Sequence, residues 1–179
     1  MYWASHDFFW IWLYIIFLAL VFVVYKKRTL IILPIVALMV LCSDQSANLC
    51  KNVLFKRARP CHNTEINNEV RVNPLLSGCG GQYGFVSSHA SNTFALAFFL
   101  SMLLMKRPRV SNGYVRAGSR FLPLFLFSWA ALVSYSRIYN GLHYPLDVTG
   151  GAMLGIFIGF LAYRLWLLAA LRFSRNSVS

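Results

Sequence analysis

The chain has 179 residues, 58% of them hydrophobic, and a mean hydropathy of +0.58. A soluble domain of this size could not cover so much apolar surface, which excludes a soluble globular protein. The net charge of +12 reflects 17 basic residues against 5 acidic ones, so few carboxylates are left for a site with two or three acidic metal ligands. We therefore expect a helical membrane protein whose site holds no metal.

Five apolar segments, each near the roughly 20 residues that cross a bilayer, predict an all-α polytopic transmembrane bundle. The first carries Trp3, Trp10 and Trp12 at one end, and the second becomes amphipathic beyond Cys42. The N-terminus lacks a basic region before its apolar run, so it is not predicted to be a cleaved signal peptide. Within a single domain, 1–179, the predicted spans are about 8–25, 30–52, 89–105, 121–139 and 146–170.

The basic residues lie in the connections between apolar segments, mainly in loops 26–29 and 106–120 and in the C-terminal tail. Such charge concentrates on the cytoplasmic side of membrane proteins, so we place these three regions in the cytoplasm. Loops 58–88 and 138–145 then fall on the outer side with the N-terminus. Anionic lipid headgroups, rather than nucleic acid, are the partners that this pattern favours.

The segment SRIYNGLHYPLD, between the fourth and fifth spans, combines an arginine, a histidine and a carboxylate. An arginine can hold a phosphate through two N–H groups. A neutral histidine can attack phosphorus, and a carboxylate behind it can fix its tautomer. We assign these roles to Arg137, His143 and Asp147.

Two other segments are expected at the same membrane face. The end of the second span brings Lys51 and Arg59, and the start of the third brings Ser87, Ser88 and His89. The basic side chains, the Ser87 hydroxyl and the Ser88 N–H are predicted to bind phosphate. His89 is predicted to protonate the leaving oxygen and then to activate water. Each residue alone has an ordinary structural explanation, but their order and shared face favour a catalytic site.

In these residues the chain resembles the type 2 phosphatidic acid phosphatase superfamily. The signatures of that family are Lys-x6-Arg-Pro, Pro-Ser-Gly-His and Ser-Arg-x5-His-x3-Asp. The third is matched in full from Ser136 to Asp147, whereas Val86 and Ser88 replace the Pro and the Gly of the second. Family members usually have six membrane helices, and this chain shows five spans.

The first signature is one residue out of register. Arg59 and Pro60 match, but the position of the lysine is occupied by Asn52, and the nearest lysine before it is Lys51. On a straight helix this offset turns the side chain by about 100°. A π-bulge between Lys51 and Arg59 could restore its direction, and Lys56 is the less favoured alternative.

The resemblance implies a metal-independent lipid phosphatase without a cofactor, acting through a phosphohistidine. It implies a multi-pass protein of the bacterial inner membrane, with its site facing the periplasm. Among substrates, undecaprenyl diphosphate is slightly favoured over lipid A phosphate, with phosphatidylglycerol phosphate and phosphatidic acid as alternatives. A lipid phosphotransferase of the same family and a non-catalytic lipid-binding or transport protein are the rival functions.

Two further features leave alternatives open. Cys61 and Cys79 share one polar loop and could pair in an oxidising compartment, although their spacing does not decide this. Gly151, Gly155 and Gly159 form a smooth stripe on the fifth span. Packing within the bundle is favoured for this stripe over a homodimer.

Overall fold

A computed structural model describes Met1, Trp3 and residues 10–66, 68–74, 78–105 and 121–176, with side chains up to 173. The beginning of the first predicted span and the basic loop 106–120 lie outside the described residues. Within the described ranges the chain forms five long helices, which confirms the predicted all-α class. They are α1 (Ile11–Tyr25), α2 (Thr29–Leu49), α3 (Ser88–Met105), α4 (Leu122–Tyr139) and α5 (Pro145–Asn176).

The second helix changes its winding at the end nearest the predicted site. α2 passes directly into a π-helix, Cys50–Phe55, and Lys56 ends it in the left-handed conformation with a φ of 47°. This confirms the predicted π-type winding between Lys51 and Arg59, where each turn holds more residues than a turn of α-helix. A π-turn inserts an extra residue, so it changes the direction in which Lys51 points.

The first turns of α3 and α5 are joined to each other. Ser87 precedes α3, and its hydroxyl accepts the N–H of Ala90 at 3.5 Å, as an N-cap does. Asp147, in the first turn of α5, accepts the N–H of Tyr144 at 2.9 Å. The N–H of Ser87 donates to the backbone oxygen of Asp147 at 2.9 Å. The two helix N-termini therefore lie side by side, which brings the loops that precede them together.

α3 is the central helix and packs against α2, α4 and α5. The glycine stripe of α5 faces it. A Cβ atom on Gly155 would lie 2.1 Å from the backbone oxygen of Ser91, and one on Gly159 would lie 2.6 Å from that of Ala95. The predicted close helix packing thus occurs within the chain, whereas the homodimer stays a prediction.

In the described part of the chain, two helices are long and apolar enough to cross a membrane, Ser88–Met105 and Pro145–Phe173. The other helices are shorter or less apolar, and their crossing stays a prediction. α1 presents large apolar side chains outward, for example Trp12 at 74% and Val23 at 70% exposure. An apolar surface of this kind is suited to lipid rather than to water.

Candidate active site

The three predicted site segments meet at one end of the bundle. His143 lies in the connection between α4 and α5, and His89 lies in the first turn of α3. Arg59 and Arg137 interact electrostatically with both histidines, and Lys51 interacts with His89. The structure therefore collects, at one place, basic and imidazole groups that are far apart in the sequence.

His143 and Asp147 form a buried pair, with exposures of 3% and 0%. Nδ1 of His143 lies 3.4 Å from Oδ2 of Asp147, longer than a well-formed hydrogen bond. Because Nδ1 faces the carboxylate, Nε2 is the nitrogen left for attack on a substrate. Burial lowers the pKa of His143 from 6.5, and although Asp147 opposes this shift, the charges of Arg59 and Arg137 add to it. The imidazole is therefore neutral at neutral pH, as a nucleophile requires.

The other oxygen of Asp147 pairs with Arg57, a residue outside the three signatures. The guanidinium carbon of Arg57 lies 5.2 Å from the centre of the Phe85 ring and 5.0 Å from that of Tyr144. Two aromatic rings thus hold the cation beside the carboxylate. The sequence reasoning did not assign Arg57 a role. Its spacing was an available signal, because residues two apart in an extended segment have their side chains on the same side, and Arg57 lies two residues before Arg59.

Arg59 is held by backbone oxygens. Its Nη1 donates to the oxygen of Cys79 at 2.9 Å, and its Nε donates to that of Tyr83 at 3.2 Å. The backbone N–H of Arg59 also donates to Gln82 at 3.0 Å. Burial lowers the pKa of Arg59, and Asp147 acts in the opposite direction. An arginine stays charged at neutral pH, so the site gains a fixed cation.

Lys51, rather than Lys56, reaches the site. Lys51 is buried, and its Nζ donates to Oγ of Ser88. Lys56 is exposed. The π-helix thus places the lysine that is out of register against the first residue of α3.

The N-terminus of α3 offers groups that suit an anion. Ser87 is fully buried and caps the helix through its oxygen, so its O–H remains able to donate. The backbone N–H of Ser88 has no acceptor among the residues that the structure describes. Unpaired N–H groups at a helix N-terminus bind anions such as phosphate.

Gly84 is a second residue that the sequence reasoning missed. A Cβ atom there would lie 2.9 Å from Oδ2 of Asp147 and 3.3 Å from Cγ of Arg59. Its N–H donates to the oxygen of Arg57 at 2.8 Å. Gly84 therefore lets the loop before α3 approach the carboxylate closely, a requirement that only tertiary structure shows.

Cys61 and Cys79 are joined by a disulfide, across a sequence separation of 18. Together with His62 they form a cluster whose potential metal-ligand atoms lie within 4.8 Å of one another, the only such cluster in the described ranges. The disulfide takes up both sulfurs, so these residues do not act as thiolate ligands. It also anchors the backbone that holds Arg59.

An apolar cavity of about 580 Å³ leads away from the site between α1, α2 and α3. Ser88 and His89 line one part of it, whereas most of the remaining wall is aliphatic or aromatic. A cavity with a polar end and apolar walls suits an amphiphile. Its apolar wall includes Phe17, Val21, Ile32, Val36, Leu96 and Trp129.

Comparisons with known proteins agree with this geometry. A sequence profile described as "PAP2 superfamily" matches residues 28–169. Lipid A 4'-phosphatase of Porphyromonas gingivalis is 32% identical over 166 residues, which cover 91% of this chain and 64% of that protein. Lipid A 4'-phosphatase of Bacteroides thetaiotaomicron is 38% identical over 128 residues, 72% of this chain and 51% of that protein. This chain thus spans less than two thirds of either relative.

The fold also agrees with a solved structure. A crystal structure described as the first transmembrane PAP2 type phosphatidylglycerolphosphate phosphatase from Bacillus subtilis superposes with a TM-score of 0.63 and 23% identity. The match covers 90% of this chain and 70% of that one. Because the profile spans most of the sequence and the helices superpose on a family fold, this chain belongs to the PAP2 superfamily of membrane proteins.

Proposed function

We propose that this protein hydrolyses a phosphate ester on a membrane lipid, with a lipid A phosphate as the favoured substrate. The observation that carries the proposal is the buried His143–Asp147 pair at the polar end of an apolar cavity. Cations beside the pair supply a place for the phosphate, and the cavity supplies a place for an acyl chain.

In the first step, Nε2 of His143 attacks phosphorus. The P–N bond forms as the P–O bond to the lipid breaks, and His89 gives its proton to the departing oxygen. Asp147 stabilises the positive charge that develops on the imidazole. In the second step His89 removes a proton from water, the water oxygen attacks phosphorus, and the P–N bond breaks. Inorganic phosphate leaves, and His143 returns to its neutral form.

The negative charge on the phosphoryl oxygens has several partners in this site. Lys51, Arg59 and Arg137 supply fixed positive charges, and Ser87 and the Ser88 N–H supply further donors. Pre-positioned donors of this kind stabilise a transition state without having to reorganise. We propose that they perform the work that a metal ion does in other phosphatases, so that the reaction is metal-independent.

The choice of lipid A phosphate rests on the relatives. Two of them are named lipid A 4'-phosphatases, and one aligns with 91% of this chain. This reverses the slight preference for undecaprenyl diphosphate that the sequence alone supports. Phosphatidylglycerol phosphate, phosphatidic acid and transfer of phosphate to a second lipid remain the alternatives to test.

The proposed location is the inner membrane of a bacterium, with the site facing the periplasm. The disulfide between Cys61 and Cys79 supports this orientation, because disulfides persist in oxidising compartments. The clusters of basic residues in the opposite connections support it independently.

The test is a phosphate-release assay on purified protein in detergent, with each of the four candidate lipids. We expect release from lipid A without any added acceptor lipid, unchanged activity in EDTA, and no release by the variant His143→Asn. Release that requires an acceptor lipid would instead establish a phosphotransferase. Loss of activity in EDTA that returns with added metal would overturn metal independence.

A further inference from the structure

Two polar side chains line the apolar cavity beside the site. Asp44 of α2 and Asn92 of α3 share its wall with Ser88 and His89. Ser43 and Ser91, which directly precede them, are hydrogen-bonded through their Oγ atoms at 2.7 Å. α2 and α3 are therefore fixed to each other at the level of this polar pair. A carboxylate within a predicted span is costly and usually has a function.

Asp44 is only partly paired. Its Oδ2 accepts Nδ2 of Asn48 at 3.0 Å, while its Oδ1 has no hydrogen-bond partner within the described ranges. Oδ1 of Asn48 in turn lies 3.5 Å from Nζ of Lys51. The carboxylate is thus connected to a phosphate-binding lysine, but it keeps one oxygen for another donor.

Asn92 is the second acceptor. Its Oδ1 is buried and has no hydrogen-bond partner in the part of the chain that the structure describes. A buried oxygen without a donor destabilises the folded protein unless a ligand or water supplies one. Two side chains that line one cavity therefore each carry an oxygen whose hydrogen-bonding capacity the described residues leave unfilled.

We infer that Asp44 and Asn92 form a subsite that binds an N–H or O–H group in the acyl region of the substrate. A carboxylate oxygen can only accept a hydrogen bond, so the ligand has to bring the donor. Amide-linked or hydroxylated acyl chains bring one close to the phosphate. A polyprenyl chain and a diester glycerolipid bring none. The inference rests on the proposed function and narrows its substrate class to lipids that carry such donors.

A purely structural explanation of Asp44 makes a different prediction. If the carboxylate only balanced the charge of Lys51, its loss would weaken phosphate binding for every lipid alike. A subsite predicts selective loss for lipids with a donor. The ratio of the kcat/KM values for two substrates therefore distinguishes the two explanations. Activity measured on one substrate alone does not.

The experiment compares ceramide 1-phosphate with phosphatidic acid of matched chain length in the same detergent. Both are phosphomonoesters with two chains, but only the first has an amide N–H and a hydroxyl near its phosphate. We expect the wild-type protein to have the higher kcat/KM on ceramide 1-phosphate. In Asp44→Asn, that preference should fall by about tenfold, the usual effect of losing a hydrogen bond to a charged group.

Further arms make the result specific. Asn92→Leu should lower the preference by about threefold, and Gln45→Ala, at an exposed neighbouring position, should leave it unchanged. N-methylated ceramide 1-phosphate keeps its hydroxyl and loses the N–H, so it identifies which donor binds.

Equal loss on both lipids in Asp44→Asn, or an unchanged preference in both subsite variants, would overturn the inference. Failure of the proposed function gives another result, since the wild-type protein would then release phosphate from no lipid.

Discussion

Asp147 divides its two carboxylate oxygens between the proposed nucleophile and a cation. One oxygen faces His143 and the N–H of Tyr144, and the other pairs with Arg57. A carboxylate held from both sides cannot rotate away from the imidazole. We therefore regard Arg57 as a positioning residue that acts on His143 through Asp147.

Arg57→Gln should lower kcat by about tenfold with little change in KM, because a hydrogen bond between charged groups is lost while the phosphate contacts remain. The pH profile should change as well. Since His143 must be neutral to attack, activity falls as the pH falls through its pKa, which burial places below 6.5. Without Arg57, the fuller negative charge of Asp147 raises that pKa, so the acidic limb of kcat/KM should move to higher pH.

The matched control is Arg71→Gln, which removes an exposed arginine from the same loop. Its kcat and its acidic limb should equal those of the wild-type protein. If Arg57→Gln lowered kcat without moving the acidic limb, a role in general loop stability would explain the loss better.

Gly84 offers a test of how closely the loop must approach the carboxylate. Gly84→Ala would put a methyl group 2.9 Å from Oδ2 of Asp147, so the loop or the carboxylate has to move. Displacements of about 1 Å near a reacting group can cost about 100-fold in rate, and we expect a loss of at least about tenfold in kcat. The control is Gly81→Ala, since a Cβ atom at Gly81 meets nothing within 4 Å. Equal activity of the two variants would show that the contact is unimportant.

Among the elements, the loop between α2 and α3 matters most for the geometry of the site. Its disulfide joins the turn after Arg59 to Cys79, whose backbone oxygen binds Arg59. The double variant Cys61→Ser, Cys79→Ser should lose about 2–4 kcal/mol of stability, as is usual for a small loop. Its KM should also rise, because Arg59 is held less firmly.

Thermal unfolding and phosphate release with and without reductant measure both effects. Reductant should reproduce the loss of stability and the rise in KM in the wild-type protein. It should do the same in the double variant Cys42→Ser, Cys50→Ser, which lacks the two free cysteines. It should have no effect on the double variant without the disulfide. A wild-type protein that is insensitive to complete reduction would show that the disulfide does not support Arg59.

The helices were predictable because long apolar runs leave few alternatives in a membrane protein. Where the structure describes them, the helix ends lie within three residues of the predicted bounds, except that α5 continues to Asn176 instead of ending near 170. That all five helices cross the membrane stays a prediction. The offset of Lys51 even predicted the change in helical winding that the Cys50–Phe55 segment shows. Local spacing is sufficient for such features, since they depend on neighbours in the sequence.

Arg57, Gly84 and Asp44 required the three-dimensional structure. Each owes its importance to a partner or a cavity supplied by another element, and no local pattern distinguishes it from an ordinary basic, small or acidic residue. Arg57 meets a carboxylate 90 positions away in the sequence. The signatures identify residues that share a recurring spacing, whereas these contacts depend on how the helices pack.

In the molecule as a whole, α3 connects the candidate site with the apolar cavity. Its N-terminal turn faces the proposed phosphate site, and the same helix forms a wall of the cavity. A lipid could therefore place its phosphate between His89 and His143 while one chain lies along α3. This arrangement would account for the position of the proposed phosphatase site at the end of a membrane bundle.

The proposed chemistry requires phosphate to be bonded to His143 during turnover. We would mix the protein with a lipid substrate carrying ³²P in the phosphate to be released, quench within milliseconds, and identify the labelled peptide. The label should be stable in alkali, labile in acid, and located at His143 between Arg137 and Arg164. It should be absent from His143→Asn. Phosphate release by that variant, or rapid turnover by the wild-type protein with no labelled histidine, would contradict the mechanism.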